Sequence, residues 1–244
     1  MEEKEINNIC SNLICDKGNI VLESYYLNPK DDNKSYILKY SYDKLNLNKI
    51  NINSLLGNDI YNLLEKLNVE LIEKIHILNV ISEECLDICI ILKHIAKEIG
   101  IKQKYILFRS IKEKDYKNHS IFFNIKDLSL IDNVLKNKYK TDLNILNNIN
   151  YEPLIFNYGN IKLNILNINS LYDVFENINV DKIVNIDLVM DFQILISDKL
   201  PIYMENIIGL LIKKIFYNLK QFIDNFSLLL AIICSCLFAG CDSN

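Results

Sequence analysis

The chain has 244 residues, 50% of them apolar, and 27 basic against 31 acidic side chains give a net charge of −4. That length supports a buried core, and the mild acidity argues against non-specific nucleic-acid binding. The composition excludes a collagen, a disulfide miniprotein, a coiled coil and a wholly disordered chain. Gly (6), Pro (3) and Trp (0) are scarce while Asn, Ile, Lys and Tyr abound, the pattern of an AT-rich coding sequence, so Asn abundance reflects mutational bias before function. Seven Cys without a CxxC pair, behind the acidic and polar start MEEKEINN, point to free thiols in a reducing compartment rather than to disulfides or zinc.

In chain order, residues 1–17 read as a loose or short helical start. Asn19–Leu27 and Ser35–Asp43, rich in Ile, Val and Tyr, read as strands around a polar loop. The apolar stripe Ile60, Leu63, Leu64, Leu67, Leu71, Ile72, Ile75 predicts a helix over Asp59–Leu78. A second helix is expected over Glu83–Ile99, with Ser82 as N-cap, Glu83 and Glu84 in the first turn, and Gly100 as the stop. Strands follow at Gln103–Ile111, His119–Ile125 and Leu128–Asp132. Further β-like runs are Pro153–Tyr158, Asn160–Ile168, Lys182–Leu188 and Phe192–Ile196, with a helix near Ser170–Glu176 and an apolar, helical tail from Tyr203. The expected organisation is a strand-rich segment over 1–58, an α+β domain over 59–200 and a hydrophobic tail over 203–244.

Order and spacing single out Cys85, His119 and Asp132. A Cys in the first turn of a helix meets unpaired N–H groups and the positive end of the helix dipole, which favour the thiolate. Glu83 and Glu84 oppose this, so a base is needed, and His119 is the candidate. If Ile125 pairs with Leu128 across a Lys126-Asp127 turn, His119 and Asp132 become diagonal neighbours on one sheet face. Asp132 then holds one imidazole nitrogen while the other meets the sulfur of Cys85. A register shifted by one residue removes that arrangement. Taken singly, Cys85 reads as a core thiol, His119 as a loop end and Asp132 as a turn residue. Cys89 reads as packing, His76 and His94 as helix residues, and Arg109 as a surface strand position.

The runs Glu84-Cys85-Leu86-Asp87-Ile88, Ile99-Gly100-Ile101, His119-Ser120-Ile121-Phe122-Phe123 and Leu130-Ile131-Asp132 together resemble the core of the transglutaminase-like cysteine-enzyme superfamily, over residues 60–135 or so. The chain departs from that pattern at Ile121, where the family usually has Trp, at Asn133, where it has Pro, and in lacking the Gly and aromatic residues before the Cys. The resemblance implies an α+β fold with a papain-like core: a helix bearing Cys85 packed on an antiparallel sheet bearing His119 and Asp132. It implies Cys85 as nucleophile, His119 as base and Asp132 as orienting acid, with no cofactor and no metal. The implied reaction is thiol-dependent acyl transfer, in the form of hydrolysis of a peptide or isopeptide bond in a peptide or protein substrate. The competing expectation is an inactive, membrane-tethered binding or scaffold module that keeps the same fold.

Phe226–Cys241 reads FSLLLAIICSCLFAGC, sixteen residues without a charge. That is just short of the ~18–20 needed to span a bilayer. Lys213, Lys214 and Lys220 precede it, so the pattern predicts a C-terminal membrane anchor with the main domain facing the cytoplasm, and Ile207–Phe216 as an interfacial helix. Leu237-Phe238-Ala239-Gly240-Cys241 is similar to a bacterial lipobox, although such signals are N-terminal. A core helix is the alternative for this segment.

Overall fold

A period of two residues, rather than a helical stripe, governs most of the chain. The computed structural model describes residues 11–27, 33–47, 52–57, 59–94, 102–129, 139, 150–175, 183–195 and 206–239, the last fourteen of these as backbone only. The strands are β1 (Asn12–Asp16), β2 (Ile20–Tyr25), β3 (Ser35–Asn46), β4 (Ile72–Ser82), β5 (Cys85–Leu92), β6 (Gln103–Asp115), β7 (Ser120–Asp127), β8 (Tyr151–Pro153), β9 (Ile155–Leu166) and β10 (Ile183–Leu195). The helices bounded among the described residues are α1 (Ile52–Leu55), α2 (Asp59–Leu67), α3 (Leu171–Phe175) and α4 (Ile207–Ala239).

One sheet takes up all ten strands, in the order β1-β2-β3-β10-β9-β7-β6-β5-β4, with β8 parallel to the start of β6. Every pairing along the main path is antiparallel. Strands on either side of residue 58 therefore join the same sheet, β3 meeting β10 with Tyr40 opposite Leu188. In β3, Tyr36, Leu38, Tyr40 and Tyr42 are buried while Lys39 and Asp43 are exposed. Lys44, at φ 53°, sits in an irregularity of the β3–β10 register, so that Leu45 rather than Lys44 takes the next inward position.

The expected papain-like core is not present. Residues 85–92, read as a cysteine-bearing helix, form strand β5 between β4 and β6. Leu86, Ile88 and Leu92 bury on one face, Asp87, Cys89 and Ile91 on the other, so apart from Asp87 the run is apolar and carries no alternation to betray it. The supposed N-cap is a hairpin turn: Ser82 pairs with Cys85 across Glu83-Glu84, and the Ser82 Oγ accepts a hydrogen bond from the Glu84 N–H at 3.2 Å. This local bond is the one a helix cap would make, which is why the sequence suggests a helix start there. The helix expected over Asp59–Leu78 ends at Leu67 instead. Asn68 is 1% exposed and its amide donates to the Leu64 carbonyl at 2.9 Å, after which β4 begins.

The expected turn at Lys126-Asp127 is also absent. Both residues continue β7, opposite Arg109 and Phe108 of β6, and the β6–β7 reversal lies at residues 116–119. The strands expected near 103–111, 119–125, 153–168 and 182–196 and the helix near 170–176 are found, with shifted ends.

Helix α4 lies across the inner face of the sheet, touching β2, β3 and α2. Ile208, Ile212, Ile215, Leu219 and Ile223 form its buried stripe, at helical spacing. Burial of each such side chain contributes about 1.5–3 kcal/mol. The approach is close at Gly209, where a Cβ would come within 2.7 Å of the Tyr36 ring. Lys213 and Lys220, expected to flank a membrane anchor, are instead buried against the protein. The Lys213 Nζ donates to the Cys15 Sγ at 2.9 Å and to the Lys17 carbonyl at 3.3 Å, and Lys220 pairs with Asp224 at 2.8 Å. Among the described residues no helix is long and apolar enough to cross a membrane, and the side chains of Phe226–Cys241, the segment expected to do so, lie outside them.

Candidate functional site

Between the sheet and its helices lies a cavity of about 180 Å³. Its floor is the inner face of the sheet, including Tyr40 and Tyr42 of β3, Leu188 and Met190 of β10, Ile161 and Leu163 of β9, and Ile106 and Phe108 of β6. Its roof is α1, α2 and α4, through residues such as Leu55, Leu64, Ile212 and Phe216. The volume exceeds that of the ~150 Å³ apolar cavities known to stay dry and take up benzene. No charged side chain lines it among the described residues.

Its only side-chain oxygens belong to Tyr40, Tyr42, Tyr61 and Ser110. Ser110 lies beside the Tyr61 hydroxyl and works against the burial that raises this phenol. Tyr40 and Tyr42, two residues apart and so on one face of β3, set their rings edge to face, with centroids 5.3 Å apart and planes at 86°. Each residue is 5% exposed, and neither hydroxyl has a hydrogen-bond partner of normal geometry. Burial pushes both phenols far above the ordinary tyrosine range, and Asp224 adds to the effect, so both hydroxyls stay protonated. The Phe216 ring lies 6.3 Å from that of Tyr40, and the Lys220 ammonium sits 5.2 Å from the Tyr42 ring.

Of the residues singled out in the sequence, Cys85 and His119 lie elsewhere. Cys85 is the first residue of β5, half-buried, opposite Ile111, with no helix dipole behind it. His119 closes the β6–β7 turn in a left-handed conformation, φ 51°, and its carbonyl accepts from the Ile165 N–H at 3.0 Å. From Ile111 to Asp115, where that turn begins, β6 runs about 13 Å. The thiol and the imidazole are thus held at different stations of the strand, and Asp132 lies outside the described residues. Cys89 is fully buried, and burial pushes its thiol up to about 12. His76 is on β4 rather than a helix, its imidazole lowered first by burial and then by Lys74. Arg109 is not a plain surface position, since it pairs with the buried Asp87.

The cavity residues escaped the sequence reading, although part of the signal was there. The alternation Tyr36, Leu38, Tyr40, Tyr42 marks one face of β3, but what that face looks onto depends on β10 and α4, distant in the chain.

No family model matches the sequence, and no curated protein matches it. Solved structures do. The human StarD13 (DLC2) lipid transfer and protein localization domain superposes with a TM-score of 0.57 at 7% identity, over 88% of this chain and 89% of that one. Human StAR-related lipid transfer protein 5 gives 0.56 at 9% identity, over 88% and 87%. Human STARD10 gives 0.54 at 6%, over 86% and 73%. At such identities the likeness is one of fold, the helix-grip arrangement in which an antiparallel sheet curls around a long helix. That fold overturns the expected relation to transglutaminase-like cysteine enzymes, and with it thiol-dependent acyl transfer and a peptide substrate.

Proposed function

We propose that this chain binds a lipid, or an apolar molecule of similar chemistry, in the cavity beneath α4 and carries it through water. The observation that carries the reading is the lining: a space of about 180 Å³ faced by aliphatic and aromatic carbon, with four hydroxyls and no charge among the described residues. An uncharged lining of this kind offers nothing to a polar substrate and gains about 0.8 kcal/mol for each ligand CH₂ it removes from water. The likeness in fold to proteins described as lipid transfer domains supports the same conclusion.

Ten methylenes buried this way gain about 8 kcal/mol, comparable with the lower part of the cost of association, so affinity depends strongly on chain length. The test is binding of a fluorescent fatty probe to the full chain, followed by its transfer between vesicles. Saturable binding at one probe per chain is expected, and it should be lost in Leu188→Trp, which fills the cavity floor, while circular dichroism stays native. Failure of any apolar probe to bind, or unchanged binding in the filled variant, overturns the proposal.

A further inference from the structure

We infer that the ligand of this cavity carries a neutral hydroxyl, as a long-chain or ring alcohol does, and that Tyr40 and Tyr42 receive it. The inference rests on the reading of the cavity as a binding site for an apolar molecule, and it adds the chemical class of the ligand.

Buried polar groups in folded proteins are paired, and each exception calls for a reason. Tyr61 has Ser110 beside it in the cavity. Tyr40 and Tyr42 lie side by side, each 95% buried on the cavity floor, and their two hydroxyls sense each other without either making a hydrogen bond of acceptable geometry. A phenol hydroxyl is both donor and acceptor. One alcohol oxygen placed between the two can therefore accept from one tyrosine and donate to the other, which pairs three groups at once. An alkane leaves both phenols as they are.

Charge decides against an acid or a phosphate. No cation lines the cavity among the described residues, and Lys220, whose ammonium sits 5.2 Å from the Tyr42 ring, is already paired with Asp224 at 2.8 Å. A carboxylate brought to Tyr40 and Tyr42 would be buried without a counter-ion and close to Asp224, whose negative charge both phenols already sense. A neutral hydroxyl carries neither penalty.

The experiment compares three probes with the same ten-carbon chain, 1-decanol, decane and decanoate, as competitors for diphenylhexatriene bound to the full chain at pH 8. The expected order places decanol about tenfold ahead of decane, with decanoate weakest. In Tyr40→Phe and Tyr42→Phe each preference should shrink several-fold, and in the double variant decanol and decane should compete equally. Each change removes only an unpaired oxygen, so thermal melting should be unchanged or raised. Equal competition by decanol and decane in the native chain overturns the inference, as does a preference that survives the double substitution or decanoate binding tightest. Competition without preference leaves the cavity reading standing. If none of the three displaces the reporter, the cavity reading falls and the inference falls with it.

Discussion

Asp87 and Arg109 stand directly opposite one another on β5 and β6, and the guanidinium meets the carboxylate through Nε at 2.7 Å and Nη2 at 3.0 Å. The Asp87 side chain is fully buried and also accepts the Tyr139 hydroxyl. This two-point pairing ties the outer face of the sheet to a residue far along the chain. Arg109→Ala leaves the buried Asp87 carboxylate uncompensated and should cost about 3–5 kcal/mol in urea unfolding, while Asp87→Ala leaves a guanidinium that is 29% exposed and should cost less. Arg109→Lys should recover only part, since an ammonium cannot reproduce the fork. Burial raises the Asp87 carboxyl, but the hydrogen bonds from Arg109 and Tyr139 outweigh it and leave it below the usual range. A depressed carboxyl stabilises above its unfolded value of about 3.9 and loses that contribution as pH falls through the native value. Wild type should therefore lose its advantage over Asp87→Asn as unfolding is measured from pH 5 down to pH 2.

Asp191 carries the opposite sign. It sits on β10 with the Tyr25 hydroxyl at 2.7 Å and that of Tyr158 at 3.2 Å, yet burial outweighs both bonds and raises its carboxyl. A raised carboxyl is costly once ionised, so stability falls as pH rises from about 3.9 through the native value. Asp191→Asn keeps an oxygen for both tyrosines and discards the charge. It should match or exceed wild-type stability at pH 7, and the difference should vanish in melts below pH 4.

Gly209 weighs two effects against each other. Glycine to alanine inside a helix ordinarily stabilises by about 1 kcal/mol. Here the new Cβ meets the Tyr36 ring at 2.7 and 2.8 Å, and that ring is stacked on Phe192 with centroids 5.3 Å apart. Overpacking of this kind costs about 1–3 kcal/mol, so Gly209→Ala should lower the melting temperature rather than raise it.

The separation of Cys85 and His119 makes a prediction of its own. Cys85 should alkylate with iodoacetamide at the same rate in wild type and in His119→Ala, because no imidazole stands beside the sulfur. Cys89, fully buried with its thiol pushed up to about 12, should label only on unfolding. At φ 51° His119 occupies backbone space that glycine enters freely, so His119→Gly should be neutral or stabilising by up to ~1 kcal/mol. A rate that fell in His119→Ala would contradict the placement of the two residues.

What the sequence conveyed follows from how each strand is buried. In β3 one face is buried and the other is wet, so alternation reads through. In β5 the inner residues Leu86 and Ile88 lie in the main core while Cys89 and Ile91 are covered from outside, with Leu128 and Tyr139 in the same cluster. A strand buried on both faces loses its period, and the Ser82 turn then imitated a helix cap. The helical tail was legible as apolar, but whether apolar residues face lipid or protein is not written in their periodicity. For residues 207–223, close approach at Gly209 and the burial of Lys213 and Lys220 show that the helix faces protein. The cavity was invisible for a related reason: Tyr40 and Tyr42 could be placed on an inner face, but an empty space exists only between elements distant in the chain.

The position of α4 in the chain also bears on how the protein is made. Ser41 and Asp187, hydrogen-bonded across β3 and β10, are 146 residues apart, so the middle of the sheet cannot close until almost all of its strands have left the ribosome. Helix α4 follows every strand and covers their inner face. For the time it takes to synthesise α4, that apolar surface is bare, at ~5–20 residues per second. Nascent chains at this stage are the ones that chaperones must shield, and a lipid captured then would be enclosed by the helix as it docks rather than admitted afterwards.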